Sequence, residues 1–466
     1  MKRFSERAAA LLLTLILLLA AAPAAAAASV GTDDMRAAAD GIIAWKKADN
    51  GSEPGGDLIN NAFLELAGTT PGDWFPIGMS RLGVTDDYDG YLAFLRQKVE
   101  KRYVTKDKLS RAKATEWHRI SLAVLAAGGD PTSFGKNADG SAIDLIADGT
   151  YDRGRTAPLG RQGINGWIWG LIALDSMRYP VPDGAFYTRD DLITAILSQQ
   201  LCDGGFALTG SAADPDITAM AVQALAPYYN EEKSYSYTLK ADGTAREATV
   251  RQAVDAALTV LSALQLDTGD FISWGTQNVE STCQVAVALC SLGIDPASDS
   301  RFIKNGNTVV DALMSFYDEK VGGFRHVNES TSDGYDATVN QMSTEQAYYA
   351  LAQLYKTVPT KTALSKAVKA GSGKIKLSWK KAAVNTDYVT KKSGKTAAVS
   401  GYQIVCATNK SFTKGVVKTT SGSKALSKPV TGLKKGKTYY VKVRAYKTVN
   451  GKKIYGTYSK ALKCRV

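Results

Sequence analysis

The chain has 466 residues, more than one ordinary domain needs, and its 57 lysines and arginines against 45 aspartates and glutamates give a net charge of +12. With 2 histidines, 5 cysteines and no Cys-x-x-Cys pair, it has neither a histidine-rich metal centre nor a dense disulfide framework. Because the cysteine count is odd, at least one thiol is free unless it pairs between chains.

Residues 1–28 have the pattern of a secretory signal peptide. A basic start with Lys2, Arg3 and Arg7 precedes an apolar run over 8–22, and small residues at 26–28 offer a cleavage site. The run is too short and alanine-rich for a permanent membrane span, and no later segment is long and apolar enough to be one. We therefore expect an exported, soluble protein that is secreted or associated with the cell envelope.

Residues 29–358 are predicted to be helical and repetitive. The window 250–265 has apolar residues at i, i+3, i+4 and i+7, as amphipathic helices do. A motif of Gln, three residues, Gly, one residue and an aromatic occurs at 200–206 and 265–271, and again at 318–324 with Asp318 in place of the glutamine. A helix precedes each copy and an alanine-rich helix follows it, which predicts stacked hairpins of roughly 50–60 residues.

The second helices of these hairpins align with one another. They are the segments 116–125, 165–174, 216–225, 280–289 and 342–351, with a sixth candidate at 71–83. A count near six, together with many Ala, Gly, Ser and Thr residues that allow close helix packing, favours a closed ring over an open solenoid.

The motif and the alanine-rich helices resemble the prenyltransferase/squalene oxidase repeat of prenyltransferases and squalene cyclases. The resemblance covers about residues 35–357 and implies an α/α toroid of the terpenoid cyclase/prenyltransferase type, with two rings of helices around a cavity. Stretches at 115–131, 166–176 and 214–229 look like a secreted bacterial branch of the family. Corrinoid carriers share this toroid and a similar stretch near 216–221, and fold alone does not decide between activities.

The segment 214–219, Asp-Pro-Asp-Ile-Thr-Ala, resembles the Asp-x-Asp-Asp-Thr-Ala motif of class II terpene cyclases. The resemblance implies that Asp216 is the general acid and that Asp214 assists it, although Ile217 replaces the family's next aspartate. Protonating an alkene requires a desolvated carboxyl that stays neutral. No histidine partner lies nearby in the sequence. The alternative is that Asp216 starts the helix, as a cap or first-turn acid that binds free backbone N–H groups.

A third interpretation is a binding cavity for a small apolar or amphipathic ligand. The aligned helices place polar residues in one column, with further polar residues two positions later, and two tryptophans supply aromatic walls. The predicted ligand-binding residues are Glu116, His118, Asn165, Trp167, Trp169, Thr218 and Glu280. Two alternatives stay open: a set of helix caps over a filled core, and an interhelical salt bridge formed by the segment 116–119.

Protein prenyltransferases require a zinc ion held by Asp, Cys and His. Cys202 and Cys283 lie in repeat loops or helix starts, but no suitably placed histidine accompanies them. We therefore expect small buried cysteines and predict neither a metal nor another cofactor.

Residues 361–466 differ in charge and in periodicity. They contain 26 basic residues and one acidic residue, Asp387, for a net charge of +25, whereas the rest of the chain has 31 basic and 44 acidic residues. Short alternating segments at 374–382, 400–408, 415–422, 438–447 and 458–466 predict an antiparallel sandwich. The region resembles an immunoglobulin-like fibronectin type III domain, in which Trp379 is the core tryptophan, Tyr402 lies on the third strand, and Leu433 and Tyr439 belong to the Leu–Gly–Tyr corner.

Such a basic domain favours a polyanionic partner, and for an exported protein we expect an anionic cell-wall polymer or a membrane surface. Alternatively, the lysines only protect exposed strands from edge-to-edge pairing; nucleic acid is not expected. The sequence thus predicts a secreted or envelope-associated binding protein. The alternatives are a cyclase- or prenyltransferase-like enzyme that acts on an isoprenoid through Asp216, and a corrinoid carrier.

Overall fold

The computed structural model describes residues 30–332, 334–356, 359–384, 398–413, 415–449 and 452–466. The predicted signal peptide and Asp387 lie outside these residues. Within them, a helical body is followed by a separate β-rich region.

The described part of the helical body contains thirteen α-helices. They are α1 (Thr32–Asp49), α2 (Asn61–Leu64), α3 (Thr70–Arg81), α4 (Tyr88–Tyr103), α5 (Thr115–Ala126), α6 (Leu145–Gly149), α7 (Ile164–Asp175), α8 (Arg189–Leu197), α9 (Pro215–Leu225), α10 (Val250–Leu264), α11 (Val279–Ser291), α12 (Val309–Ser315) and α13 (Gln341–Lys356). The five segments that the sequence aligned as second helices are helices α5, α7, α9, α11 and α13, and the sixth candidate corresponds to α3.

These six helices, which we call the ring helices, contact one another in cyclic order. Each packs against the next from α3 to α13, and α13 packs against α3. Helices α6, α8, α10 and α12 each pack against the ring helix that precedes or follows them, and α1 packs against α13. The N-terminal helix therefore lies beside the last one, and their buried side chains belong to one hydrophobic core.

The repeated glutamine motif holds the turn that leads into a ring helix. Gln200 Nε2 donates to the Gly204 carbonyl at 2.8 Å and to the Ala253 carbonyl of α10 at 2.9 Å. Gln265 repeats the first bond with Gly269 at 2.9 Å. Both glycines have a left-handed φ, +98° and +89°, which an L side chain disfavours. The motif thus recurs at a fixed spacing because its glutamine amide and its glycine both have structural roles.

Short antiparallel hairpins, which the sequence did not predict, also occur in the helical body. They are β1 (Ser234–Thr238) with β2 (Ala245–Thr249), β3 (Phe271–Ser273) with β4 (Thr276–Asn278), β5 (Ile303–Lys304) with β6 (Asn307–Thr308), and β7 (Tyr317–Asp318) with β8 (Gly323–Phe324). Among the described helices, none is long and apolar enough to cross a bilayer.

The β-rich region has two antiparallel sheets. Their strands are β9 (Leu364–Lys369), β10 (Ile375–Trp379), β11 (Gly401–Ala407), β12 (Val416–Ser421), β13 (Ser427–Val430), β14 (Thr438–Val449), β15 (Lys452–Tyr455) and β16 (Leu462–Arg465). One sheet has the order β13–β10–β9; the other has the order β12–β11–β14–β15, with β16 also paired to β14.

Side chains from both sheets form one core. The rings of Trp379 and Tyr402 lie 5.4 Å apart within it. The Tyr439 hydroxyl accepts a hydrogen bond from the backbone N–H of Lys434 at 2.9 Å, which fixes the entry to β14. The five predicted strand segments correspond to β10, β11, β12, β14 and β16.

Candidate functional site

A cavity of about 410 Å³ lies between the ring helices. Its apolar and aromatic walls are formed by Trp74, Trp169, Met220, Met342 and Tyr349. Its polar lining consists of Thr70, Thr115, Arg119, Gln162, Asn165, Asp216, Gln284, Glu345 and Gln346. Every ring helix contributes at least one of these side chains, so the cavity depends on the assembly of all six.

The ring helices present residues four positions apart to the cavity. In α7 the pair is Asn165 and Trp169, and in α9 it is Asp216 and Met220. Residues i and i+4 lie on the same face of a helix, whereas residues i and i+2 are about 200° apart around its axis. Side chains two positions after the first column therefore face away from the cavity.

Trp167 and Thr218, which the sequence proposed for ligand binding, lie at such positions, and His118, three residues after the lining residue Thr115, is not part of the cavity lining either. The Trp167 ring packs against Tyr187, with centroids 5.2 Å apart. His118 is buried, and its Nε2 donates to the last carbonyl of α6 at 2.6 Å. Burial lowers the pKa of His118 to about 4. The Thr218 hydroxyl bonds both the N–H and the carbonyl of Phe206, at 2.9 and 3.0 Å.

Glu116 is held by an ion-pair cluster at the cavity wall. The two carboxylate oxygens of Glu116 accept from Nη1 and Nη2 of Arg119, at 2.9 and 3.0 Å. Arg119 Nε also donates to the fully buried carboxylate of Asp73 on α3, at 2.8 Å. Burial raises the pKa of Asp73, and Arg119 opposes that shift. The segment 116–119 thus forms an interhelical salt bridge.

Asp214 is the N-cap of α9. Its Oδ1 accepts from the backbone N–H of Ile217 at 3.0 Å. Its Oδ2 accepts from the Ser273 hydroxyl at 2.5 Å, which joins α9 to the hairpin of β3 and β4. Both oxygens of Asp214 therefore have structural hydrogen bonds.

Asp216, the second residue of α9, does not cap the helix. Its Oδ1 is buried and has no hydrogen bond of ordinary geometry within the described residues. Burial raises the pKa of Asp216 to about 7; the neighbouring Ser281 hydroxyl opposes the shift, and the charges of Asp214 and Glu280 add to it. The site thus holds a carboxyl whose neutral form is favoured by its surroundings.

His326 belongs to this neighbourhood although nothing local in the sequence shows it. Its Nδ1 lies 2.7 Å from Glu280 Oε2, and the Ser343 hydroxyl donates to Glu280 Oε1 at 2.6 Å. The Tyr335 ring lies 4.8 Å from the imidazole. Glu280 thus faces these partners instead of the cavity, while its charge still acts on Asp216.

Two further aromatic rings, Trp74 and Tyr349, complete the cavity wall, and neither was among the residues predicted from the sequence. The Trp74 ring is 5.4 Å from Trp169 and 5.2 Å from Tyr349, with interplanar angles of 65° and 77°. Trp74 lies four residues after the first residue of α3, so the i, i+4 pattern of the ring helices is the signal that identifies it.

Glu345 is a second buried acid at the cavity. Its Oε2 accepts from Gln341 Nε2 at 2.9 Å. Burial raises the pKa of Glu345 to about 7, against the opposing effects of Gln341, Lys46 and Arg119.

The described residues contain no cluster of three or more His, Cys, Asp or Glu side chains that could hold a metal ion. Cys202 is exposed, Cys283 is buried, and both are free thiols. The structure brings together Asn165, Trp169 and Asp216 of the residues proposed for the cavity.

No family model matches the chain, and no curated protein matches it. Among solved structures, ent-copalyl diphosphate synthase from Streptomyces platensis is 18% identical with a TM-score of 0.37, and the match covers 63% of this chain but only half of that one. The solution structure of a fibronectin type III domain derived from the human KIAA0970 protein is 19% identical with a TM-score of 0.17, over 22% of this chain and 72% of that one. Both likenesses are weak, and neither assigns the chain to a family.

Proposed function

We propose that the protein is a secreted or envelope-associated binding protein whose helical body is an α/α toroid of the terpenoid cyclase/prenyltransferase type. Its site is the cavity between the ring helices, which binds a small amphipathic molecule. The observation that carries this proposal is the combination of aromatic walls with polar side chains whose hydrogen-bonding capacity is unused. Cavities of a few hundred Å³ with such linings are typical of small-molecule sites.

Unused hydrogen-bonding groups at the cavity support a role in binding over one in packing. Asn165 Oδ1, Asp216 Oδ1 and Gln284 Oε1 are buried without a partner among the described residues. A buried polar atom without a partner costs about 1–3 kcal/mol, so a fold under no other constraint would replace it. Three such atoms on three consecutive ring helices line one cavity, where they offer unused hydrogen-bonding capacity to a ligand.

Native mass spectrometry of the full chain, expressed with its leader and purified after export, tests the proposal. We expect a bound small molecule in addition to the protein mass, and removal of residues 1–28. Met220→Trp fills the cavity and should abolish the bound mass. The matched control is Met177→Trp, because Met177 is 64% exposed. A protein that stays free of ligand after incubation with isoprenoids, corrinoids and amphiphilic amines contradicts the binding function.

We further propose that the β-rich region is a fibronectin type III module that associates with an anionic cell-wall polymer or a membrane surface. Alternate residues of β14 place cations on the outer face of its sheet. Lys442 Nζ lies 4.2 Å from the Phe412 ring and 4.1 Å from the Tyr458 ring. The Arg444 guanidinium lies 3.9 Å from the Tyr455 ring and 4.3 Å from the Tyr458 ring. These contacts hold positive charge in fixed positions on a strongly basic region.

Sedimentation of the full chain with isolated cell walls and with anionic vesicles tests this association. We expect binding that weakens as salt rises from 50 to 500 mM, because exposed charges are screened. Lys442→Glu with Arg444→Glu should release the protein, whereas Arg36→Glu on α1 with Lys101→Glu on α4, both at exposed residues, should not. Binding that is unaffected by salt, or equal to neutral vesicles, contradicts the proposal.

Acid catalysis on an isoprenoid is the second candidate function, because Asp216 is a partly buried acid whose pKa is raised to about 7. In this reaction the Asp216 O–H would transfer its proton to an alkene carbon, and the π electrons would form the new C–H bond. The cation left on the neighbouring carbon would face the rings of Trp74 and Trp169 until a proton is lost. Gas chromatography of products from squalene and geranylgeranyl diphosphate tests it: cyclic products that disappear in Asp216→Asn support catalysis, and unchanged substrate contradicts it.

A further inference from the structure

The charged groups at the cavity are unevenly balanced. Among the residues that line it, Arg119 is the one cation, and Asp216 and Glu345 are the acids. Arg119 already pairs with Glu116 at 2.9 and 3.0 Å and with Asp73 at 2.8 Å. Its guanidinium is thus engaged by two carboxylates, one of which, Glu116, also lies 3.8 Å from Arg102. Within the described lining, no cation is left to bind a phosphate, sulfate or carboxylate of a ligand.

Neither acid of the cavity has a cation of its own. Asp216 and Glu345 form no ion pair of 4 Å or less within the described residues, and Asp216 Oδ1 has no hydrogen bond of ordinary geometry there. Lys46, the other cation whose charge acts on Glu345, is bound to Asp49 at 2.6 Å and to Gln341 at 2.7 Å. Burial without a counterion raises the pKa of both acids to about 7. A positive charge in the cavity would favour their ionised forms.

The aromatic walls add a second preference for positive charge. Trp74 lies nearly perpendicular to both Trp169 and Tyr349, so the three rings form a corner with faces in different directions. Ring faces attract ammonium and guanidinium groups, most strongly where water is excluded. The protein itself uses this attraction here, because the Arg81 guanidinium lies 4.6 Å from the centre of the Tyr349 ring.

We infer that the ligand of this cavity is a cationic amphiphile, with an ammonium group on an apolar body. The ammonium charge is met by the carboxylates of Asp216 and Glu345 and by the rings of Trp74 and Trp169, while the apolar body packs against the methionines of the wall. This inference rests on the proposed binding function and narrows it. It disfavours fatty acids and isoprenoid diphosphates, because their negative heads would meet two carboxyls while Arg119, the one cation among the lining residues, is already paired. The Arg81 guanidinium stacks on Tyr349 and is not part of that lining.

Isothermal titration calorimetry of the full chain at pH 8 tests the inference with three matched probes: octyltrimethylammonium, octanol and octyl sulfate. The quaternary ammonium keeps its charge at every pH. Because the three probes share the same octyl chain, differences in affinity between them report the head group alone. We expect the ammonium to bind about tenfold more tightly than octanol, and octyl sulfate to bind weakest.

Two variants test which residues cause the preference for the ammonium probe. Asp216→Asn should weaken octyltrimethylammonium binding by about tenfold and leave octanol binding unchanged, since only the charge is removed. Trp169→Leu, which keeps the wall apolar, should weaken the binding of octyltrimethylammonium more than the binding of octanol. Asp139→Asn, at an exposed loop residue, is the control and should change neither.

The outcomes separate the inference from the function on which it rests. Equal affinity for the three probes, or tightest binding of octyl sulfate, overturns the cationic ligand and leaves a binding cavity in place. Failure of all three probes to bind removes the proposed binding function, and the inference with it.

Discussion

Asp214 and Asp216 are separated by one residue, yet only Asp214 accepts a capping hydrogen bond at the start of helix α9. Asp214 accepts the hydrogen bond of the Ile217 N–H, while Asp216 leaves a buried oxygen unpaired. A carboxyl that is buried without compensation destabilises the fold whenever it is ionised. We therefore attribute the presence of Asp216 to the proposed site and not to the stability of the fold.

Asp216→Asn should stabilise the protein at alkaline pH. The folded pKa of about 7 lies above the ordinary value of 3.8, so the folded state binds the proton more tightly than the unfolded chain does. The native protein therefore loses stability as pH rises from about 4 to about 7, and asparagine removes this loss. We expect the advantage of the variant in urea unfolding to grow by on the order of 2 kcal/mol between pH 5 and pH 8.

Asp214→Ala is the matched comparison at the same helix terminus. Loss of the cap should destabilise the protein by about 1 kcal/mol at both pH values. An Asp216→Asn variant that is less stable than the native protein at pH 8, or whose advantage does not change with pH, would show that the carboxyl is not held in an uncompensated state.

At the scale of elements, the glutamine motif joins consecutive helix pairs. The Gln200 amide bonds one carbonyl within its own turn and one carbonyl in α10. Gln200→Met keeps the volume of the side chain and removes both bonds, which leaves two buried carbonyls without this donor. We expect a loss of about 2 kcal/mol in the free energy of unfolding, measured by urea denaturation.

Gln199→Met is the control for this change. Among the described residues, its amide donates to the Ala195 carbonyl in the last turn of α8, the helix directly before it. The loss should stay below about 0.5 kcal/mol, as for other surface substitutions. Similar losses in the two variants would contradict the role of the motif in joining helix pairs.

The elements that could be predicted from the sequence are the long and repeated ones. The ring helices show apolar periodicity over ten or more residues and follow a recurring motif, whereas α6 has 5 residues and β3 has 3. Such short segments contain too few residues to show a period. Within the site, Asn165, Trp169 and Asp216 follow from the alignment of the ring helices.

The remaining site residues depend on information that an alignment of segments lacks. Trp167 and Thr218 lie two positions after the cavity-lining residues Asn165 and Asp216, on the opposite face of their helices. Glu280 turns to His326, a contact that only tertiary folding creates. Neither the direction of a side chain nor a partner from another loop can be read from residue types alone.

At the scale of the whole molecule, α1 closes the helical body against its C-terminal part. Gly322, in the turn of the last motif copy, has φ +87°, and a Cβ there would lie 2.9 Å from the Gly41 carbonyl of α1. The Tyr355 hydroxyl of α13 also donates to the Thr32 carbonyl. The first and last helices are thus packed directly against each other.

Gly322→Ala should therefore destabilise the protein by more than the cost of placing an alanine in a left-handed backbone conformation. The control is Gly306→Ala, with φ +85° and open space around the added methyl group. Both variants lose about 1 kcal/mol from the left-handed conformation, and Gly322→Ala should lose a further 1–3 kcal/mol from the clash with α1. Equal losses of stability in the two variants, measured by thermal unfolding, would contradict the close packing of Gly322 against α1.

The central claim, that the ring helices enclose a ligand site, is tested most directly by a crystal structure of the exported protein with octyltrimethylammonium. We expect electron density for the ammonium group between the rings of Trp74 and Trp169 and the carboxylates of Asp216 and Glu345, with the alkyl chain against Met220. A cavity that contains only ordered water at saturating ligand, or that the ring helices fill with their own side chains, would contradict the claim.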